Sequence, residues 1–511
     1  MEIAISGQRP GGLLDRVRYL LAGAVRRPVA WYVGFALYAA GVALFSGRGL
    51  DRWWGIWAAG GYAIAAAVAV FGHTRGKRTP GGMPGAQAAA LAVAVAGVLV
   101  APLVWLATRE PITPDALVVA RSGVLLLHHG SPYLGSAQLA RGGWLAYNPY
   151  LPVMAVFGLP KALGLTGFLA DPRPWLAAAT FLILWATFRI SRISRVGKIP
   201  VTPLGLAALA ISSPVMAFPL AEGITDPPVI ALTCLALALL IRFGGADWRP
   251  AVVLGVVCAM KYTAWPALAV LIVMVMVRDG GRAAVRFTVT ALGTAIGLTV
   301  ALAPAGIWHP AAIVANTVAY PLGLTAARSP AASPLPGHLL ATLGPAGHAA
   351  AIALLLAAGA ALVASLVTAP PRTPAEAANR IALGLTALFA LSPATRFGYF
   401  CYPLALYGWV ALAGYGARRR QPGAPSSTEP APPPELGSLA EPYASPEPSP
   451  LAELEPMPEP DSLAEPGPLA GRDPLAEPSP LAEPSPLAGR GPLAEPSPSV
   501  RAAHPTTVGV R

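Results

Sequence analysis

Charge is what this sequence has least of. Only 12% of its 511 residues are Asp, Glu, Lys or Arg, against about 25% in a soluble globular domain. A surface that poor in charge must largely face hydrocarbon rather than water. Lysine is nearly missing, with Lys77, Lys161, Lys198 and Lys261 the only four. Cysteine is scarce too: Cys234, Cys258 and Cys401 each sit in an apolar run, without metal-type spacing, and read as small buried hydrophobes. No P-loop, no glycine fingerprint after a strand and no His-Glu-x-x-His pair occurs, so nucleotide-dependent chemistry has no visible site. Carboxylates are rarer still than the total of 24 suggests, because 13 of them follow Gln421.

Hydrophobic side chains fill the gap. They make up 55% of the chain, and the mean hydropathy is +0.57. Apolar runs near the 20 residues that a membrane span needs occur at roughly 30–46, 53–72, 86–107, 173–190, 201–218, 227–243, 284–303, 347–368, 381–393 and 399–416. This predicts an all-α integral membrane protein, a multi-pass bundle of about ten to thirteen apolar segments. Of the 36 basic residues, 32 precede Gln421. They cluster between the apolar runs, as the positive-inside rule requires, which argues against nucleic acid as a partner.

Three regions follow. Residues 1–29 form a basic cytoplasmic N-terminus leading into an uncleaved first span. Residues 30–420 are the membrane domain. Residues 421–511 repeat short Pro-Leu-Ala-Glu-Pro-Ser units, too polar and proline-rich to bury a core, and read as a disordered cytoplasmic tail. The basic runs at His73–Arg78, Arg189–Lys198, Arg278–Arg286, Arg372–Arg380 and Arg418–Arg420 are assigned to the cytoplasm. They agree with one another only if 150–168 and 251–277, each apolar but broken by proline, are hairpins that return to their own side. Lys261 then stands near a hairpin apex. Residues 108–150, 219–227, 304–346 and 394–398 fall on the outer face, with 108–150 and 304–346 the long loops.

Ionisable groups at a membrane are costly and mark function by default. Of the eleven carboxylates before Gln421, four lie on the expected outer face away from short turns: Glu110, Asp115, Glu222 and Asp226. Asp115 opens an apolar helix, where it is either a helix-start charge or a base at the membrane boundary. His128 and His129 close that helix; adjacent histidines face different sides, so metal binding is the minor reading. Glu222 and Asp226 flank a turn, as helix caps or as a pair that binds a metal or a polyol. Lys261 is either a snorkelling lysine or a cation aimed at an anionic headgroup. Arg396 is either a rim anchor or a bidentate phosphate ligand.

Four short motifs resemble those of the membrane glycosyltransferases of the GT-C superfamily, the bacterial family-87 type in particular. They are Asp115 with its helix, Gly130-Ser-Pro-Tyr133 and Tyr147-Asn-Pro-Tyr150; Glu222-Gly-Ile-Thr-Asp226; Gly255-Val-Val-Cys-Ala-Met-Lys261 followed by Pro266; and Arg396-Phe-Gly-Tyr399. Asn148 stands where the family has the first proline of the re-entry, and the Gly-Gln turn of the family is altered at 222–226. The resemblance implies a GT-C fold in a bacterial plasma membrane. It implies inverting transfer of a hexose, mannose first, from a polyprenyl-phosphate donor to a lipid or glycan acceptor on the outer face. Asp115 would be the base, Lys261 and Arg396 would hold the donor phosphate, and Glu222, Asp226, Tyr147, His128 and Tyr133 would contact acceptor or sugar. No cofactor is implied, though Glu222 and Asp226 leave a divalent metal open. Two other classes compete. A transporter or lipid flippase requires inverted repeats and mid-membrane charges in both halves, and none is visible. A non-catalytic scaffold, recruiting partners through its tail, requires replaceable outer-face acids.

Overall fold

The computed structural model describes residues 28–76, 84–196, 199–304 and 310–417. The basic N-terminus up to Arg27, Lys77, Arg78, Lys198, Trp308, Arg418–Arg420 and the repeat tail lie outside the described residues.

The described chain is helical apart from one two-residue strand pair. The first helices are α1 (Pro28–Phe45) and α2 (Gly49–Gly76), followed by α3 (Pro84–Val95), which runs through a π-helical turn, Ala96–Val100, into α4 (Ala101–Arg109). Then come α5 (Pro114–His129), α6 (Ser136–Arg141), α7 (Leu159–Ala162) and α8 (Pro172–Ser191). Strands β1 (Arg195–Val196) and β2 (Ile199–Pro200) pair antiparallel. The second half holds α9 (Pro203–Ile211), α10 (Pro214–Glu222), α11 (Asp226–Phe243), α12 (Trp248–Cys258), α13 (Trp265–Asp279) and α14 (Gly281–Leu302). It ends with α15 (Pro310–Val314), α16 (Pro336–Ala341), α17 (Pro345–Thr368), α18 (Pro374–Leu391) and α19 (Cys401–Ala417). Eight described helical segments are long and apolar enough to cross a membrane, or nine if the α9–α10 pair counts as one span. Leucine, valine and phenylalanine lie exposed along α1, α14 and α17, as surfaces that meet lipid rather than water require.

Proline sets many of the helix starts. Pro114, Pro172, Pro203, Pro214, Pro345 and Pro374 occupy first-turn positions, where the missing N–H costs nothing. Asp171 caps α8: its carboxylate accepts from the Arg173 backbone N–H at 2.8 Å and pairs with the buried Arg173 guanidinium. Close approach is made by glycine. A Cβ on Gly123 of α5 would stand 2.2 Å from the Gly158 carbonyl carbon, and one on Gly97 would stand 2.5 Å from the Gly61 Cα. Helices in lipid associate by such backbone-to-backbone packing, since hydrocarbon offers no hydrophobic drive between them.

The run 201–218 was expected as one straight span; instead α9 and α10 meet at 67°. Ser212-Ser213-Pro214 explains the break, because a residue before proline is pushed out of the helical region. The run 150–168 forms only short helical pieces: Pro152–Gly158 and Leu159–Ala162 lie against α5, and Gly167–Ala170 lies against α4, α7 and α8.

The segment 251–277 does double back. At the far end of α11, the Gly245 N–H donates to Asp279 at 2.8 Å and Arg278 donates to the Leu240 carbonyl at 3.2 Å. At the near end, Lys261 meets Asp226, the first residue of α11. So α12 rises beside α11, the chain turns at 259–264, and α13 descends.

Candidate functional site

Four helix ends gather at the same end of the bundle as that reversal. They are the starts of α5, α11 and α19 and the end of α12.

Thr113 caps α5, its hydroxyl accepting from the Ala116 N–H, and Gly130 ends the helix at φ 64°. The Thr113 hydroxyl also donates to the Glu222 carbonyl at 2.8 Å, which ties the start of α5 to the end of α10. Asp115 therefore sits on a rigid first turn. The segment after α5 returns to it through Asn148. The Asn148 side chain donates to Ser122 Oγ at 3.0 Å and to the Pro132 carbonyl at 3.2 Å, and accepts from the Tyr150 N–H at 3.0 Å. Its own N–H donates to Asn316 at 2.8 Å. A proline at 148 could make none of the donor contacts, so Asn148 has a local structural role. The Leu151 and Val153 N–H groups then donate to the Met260 and Ala259 carbonyls at 2.9 and 3.1 Å. Tyr150 and Lys261 are thereby registered side by side by backbone bonds.

The result is a cavity of about 440 Å³ whose walls include Asp115, Tyr147, Tyr150, Lys261, Arg396 and Tyr399. Asp115 Oδ1 accepts from the Tyr150 hydroxyl at 2.5 Å, and Oδ2 accepts from Arg396 Nη1 at 3.1 Å. Burial pushes the Asp115 carboxyl up. Arg396, the Tyr150 bond and Lys261 together outweigh that and hold it below the usual carboxylate range. Lys261 pairs with Asp226 and stands over the rings of Tyr150 and Tyr399, at 5.4 and 5.5 Å from their centroids. Burial alone would lower its pKa, but the charge of Asp226 and its hydrogen bond raise it above the lysine norm, so the ammonium stays charged. Behind it, Tyr402 donates to Asp226 Oδ1 at 2.7 Å and shares a 2.8 Å hydrogen bond with Thr263. The lining also includes the apolar side chains of Val118, Leu355, Leu388 and Phe389.

Of the residues singled out from the sequence, Asp115, Lys261, Arg396 and Tyr147 line this one cavity. Tyr147 stacks on Tyr320 at 4.6 Å between ring centroids. Asp226 lies just behind Lys261 and is almost fully buried. Tyr133 is buried in the wall, donating to the Tyr150 carbonyl at 2.9 Å. His128 is exposed on the last turn of α5 and is not part of the lining. Glu222 is separate as well: its Oε2 accepts from Arg48 at 3.3 Å, and its carboxylate neighbour is Asp51. Asp226 and Glu222 thus have different partners. No group of three or more His, Cys, Asp or Glu arranged to hold a metal occurs among the described residues.

Tyr150, Tyr399 and Tyr402 carry contacts that sequence reasoning did not assign. Tyr150 and Tyr399 stood inside the quoted motifs and were within reach. Tyr402 follows Arg396 by six positions in an apolar run, and nothing local marks it.

No protein-family model, no curated protein and no solved structure matches this chain.

Proposed function

We propose that this chain is a membrane glycosyltransferase that moves a hexose, with mannose the first to test, from a polyprenyl-phosphate donor to a lipid or glycan acceptor on the outer face of a bacterial plasma membrane, with inversion. One observation carries the reading. A carboxylate on a capped helix start, Asp115, lines the same cavity as two cations, Lys261 and Arg396, together with apolar side chains such as Leu355 and Leu388. Such an arrangement suits a substrate that is part lipid, part phosphate and part hydroxyl.

The chemistry follows from the roles. Asp115 takes the proton of the acceptor hydroxyl as its oxygen attacks the anomeric carbon, a step worth about 10²–10⁴ in rate. The bond from that carbon to the phosphate oxygen breaks, and its electron pair leaves with the lipid phosphate. Arg396 and Lys261 stabilise the charge that develops there. Attack from the face opposite the leaving group inverts the anomeric centre. Tyr150 orients Asp115, and Asp226 with Tyr402 orients Lys261.

The test is transfer of radiolabelled mannose from polyprenyl-phosphate-mannose in membranes containing the wild-type chain or Asp115→Asn. The reading expects label in a new product with wild type and loss of it with the variant. Undiminished transfer by Asp115→Asn would eliminate the base.

A further inference from the structure

Asp115 has no oxygen to itself. Oδ1 is held by Tyr150 and Oδ2 by Arg396. A general base must present an oxygen to the proton it removes. Each oxygen keeps a second lone-pair site, so a proton can still be taken. An oxygen held by a guanidinium is a weaker base, however, and the surroundings single out which of the two partners can move.

Tyr150 is fixed. It is buried, and its backbone is tied to Asn148 and, through Leu151, to Met260. Arg396 is not fixed in the same way. Its side chain is 29% exposed toward the cavity, and the bond to Asp115 is its only side-chain hydrogen bond among the described residues. A guanidinium carries five N–H donors, and phosphate takes them in pairs. Lys261 offers no comparable freedom, being enclosed with Asp226, Tyr402 and Thr225.

We infer that Arg396 is a phosphate-operated latch on Asp115: it caps the base's Oδ2, and the phosphate of a lipid-linked donor draws it off, freeing that oxygen for the acceptor's proton. This rests on the proposed transferase reading and adds an order of events to it. Donor phosphate arrives first and Arg396 swings onto it. The acceptor hydroxyl then gives its proton to Oδ2, while its oxygen bonds to the anomeric carbon and the carbon–phosphate-oxygen bond breaks. A phosphodiester carries one negative charge, and the monoester that departs carries up to about two. The hold of the phosphate on Arg396 therefore tightens as the bond breaks, when Asp115 most needs to be free. The proton passes from Asp115 to the departing phosphate or to water, and Arg396 returns.

The electrostatics point the same way. Arg396 is the largest of the influences that lower the Asp115 carboxyl against the upward push of burial. Taking it away makes Asp115 a stronger base. The other ionisable groups that act on Asp115 are Tyr150, Lys261, Tyr399, Tyr320 and Glu222, and none of them shifts position in this scheme.

The test is an infrared titration of the full-length protein in phosphatidylcholine nanodiscs, with the Asp115 carboxyl band assigned by its loss in Asp115→Asn. Undecaprenyl phosphate is the probe, and inorganic phosphate is the comparison that separates a lipid-borne from a free phosphate. The expected result is a rise in the Asp115 midpoint of about 1–3 pH units on adding undecaprenyl phosphate, the size of a lost Arg–carboxylate interaction. Arg396→Gln should start at the raised midpoint without any lipid phosphate. If phosphate bands report binding while the wild-type midpoint stays put, the latch is overturned and the transferase reading stands. An equal rise in wild type and Arg396→Gln also overturns it, since direct repulsion then suffices. If undecaprenyl phosphate does not bind the wild type at all, both fall.

Discussion

Two ion pairs stand beside one cavity at the same end of the bundle, and they are built differently. In Asp226–Lys261 the side chains are 1% and 12% exposed, and Tyr402 and Thr225 close around them. In Asp115–Arg396 the exposures are 23% and 29%, and both residues face the cavity. A buried pair that is fully hydrogen-bonded is hard to separate, because each charge left alone would be stranded away from water. A half-exposed pair at a cavity wall can trade one partner for a ligand. The first pair holds the reversal between α12 and α13 against α11; the second is where chemistry is available.

Four substitutions would break or sharpen that contrast, from the largest effect to the smallest. Asp115→Asn should cut transfer by about 10²–10⁴, read as initial rate with radiolabelled donor, while thermal unfolding in detergent stays close to wild type. Asp226→Ala should act on the fold instead, leaving Lys261 stranded at a cost of about 3–5 kcal/mol, visible as a lower unfolding temperature. Arg396→Gln should lower transfer by about 10²–10³, the usual loss for one donor to developing charge, again without a matching loss of stability. Tyr402→Phe removes one hydrogen bond to a charged group and should cost about 1.5–3 kcal/mol, less than Asp226→Ala and in the same assay. If Asp226→Ala unfolded no earlier than Asp115→Asn, the division between a structural and a reactive pair would not hold.

The pairs also differ in pH range. The Asp115 carboxyl is held below its unfolded value. Its contribution is fully present above the ordinary aspartate value of about 3.9 and is lost as pH falls through the depressed one. Lys261 is held above its unfolded value. Its contribution is present below about 10.4 and is lost as pH rises through the raised one. Unfolding followed against pH should show an alkaline loss that Asp226→Ala removes and only a small acid loss that Asp115→Asn removes, since the Asp115–Arg396 pair is partly exposed and contributes little to stability.

Most helices were legible because a span must be both long and apolar, and ten such runs stand out between basic clusters. The observed helices match them within a few residues, as in 173–190 against Pro172–Ser191 or 347–368 against Pro345–Thr368. The bend between α9 and α10 was signalled by Ser212-Ser213-Pro214 and passed over in favour of hydropathy. At the site, Asp115, Lys261 and Arg396 could be named because charges are so few. Their pairing could not be read, since Asp115 and Arg396 are 281 residues apart and no local pattern links them. Glu222 shows the limit most plainly. Its proximity in sequence to Asp226 suggested a shared role, yet αL backbone at Gly223 turns the chain between them. Glu222 goes to Arg48, 174 residues away, and Asp226 to Lys261.

The most direct measurement is a paired one, made on Asp115→Asn and Asp226→Asn purified side by side: the rate of sugar transfer from polyprenyl-phosphate-mannose and the unfolding temperature of each. The account predicts that Asp115→Asn folds close to wild type and transfers about 10²–10⁴ more slowly, while Asp226→Asn unfolds earlier. Transfer at the wild-type rate by a stably folded Asp115→Asn would contradict it.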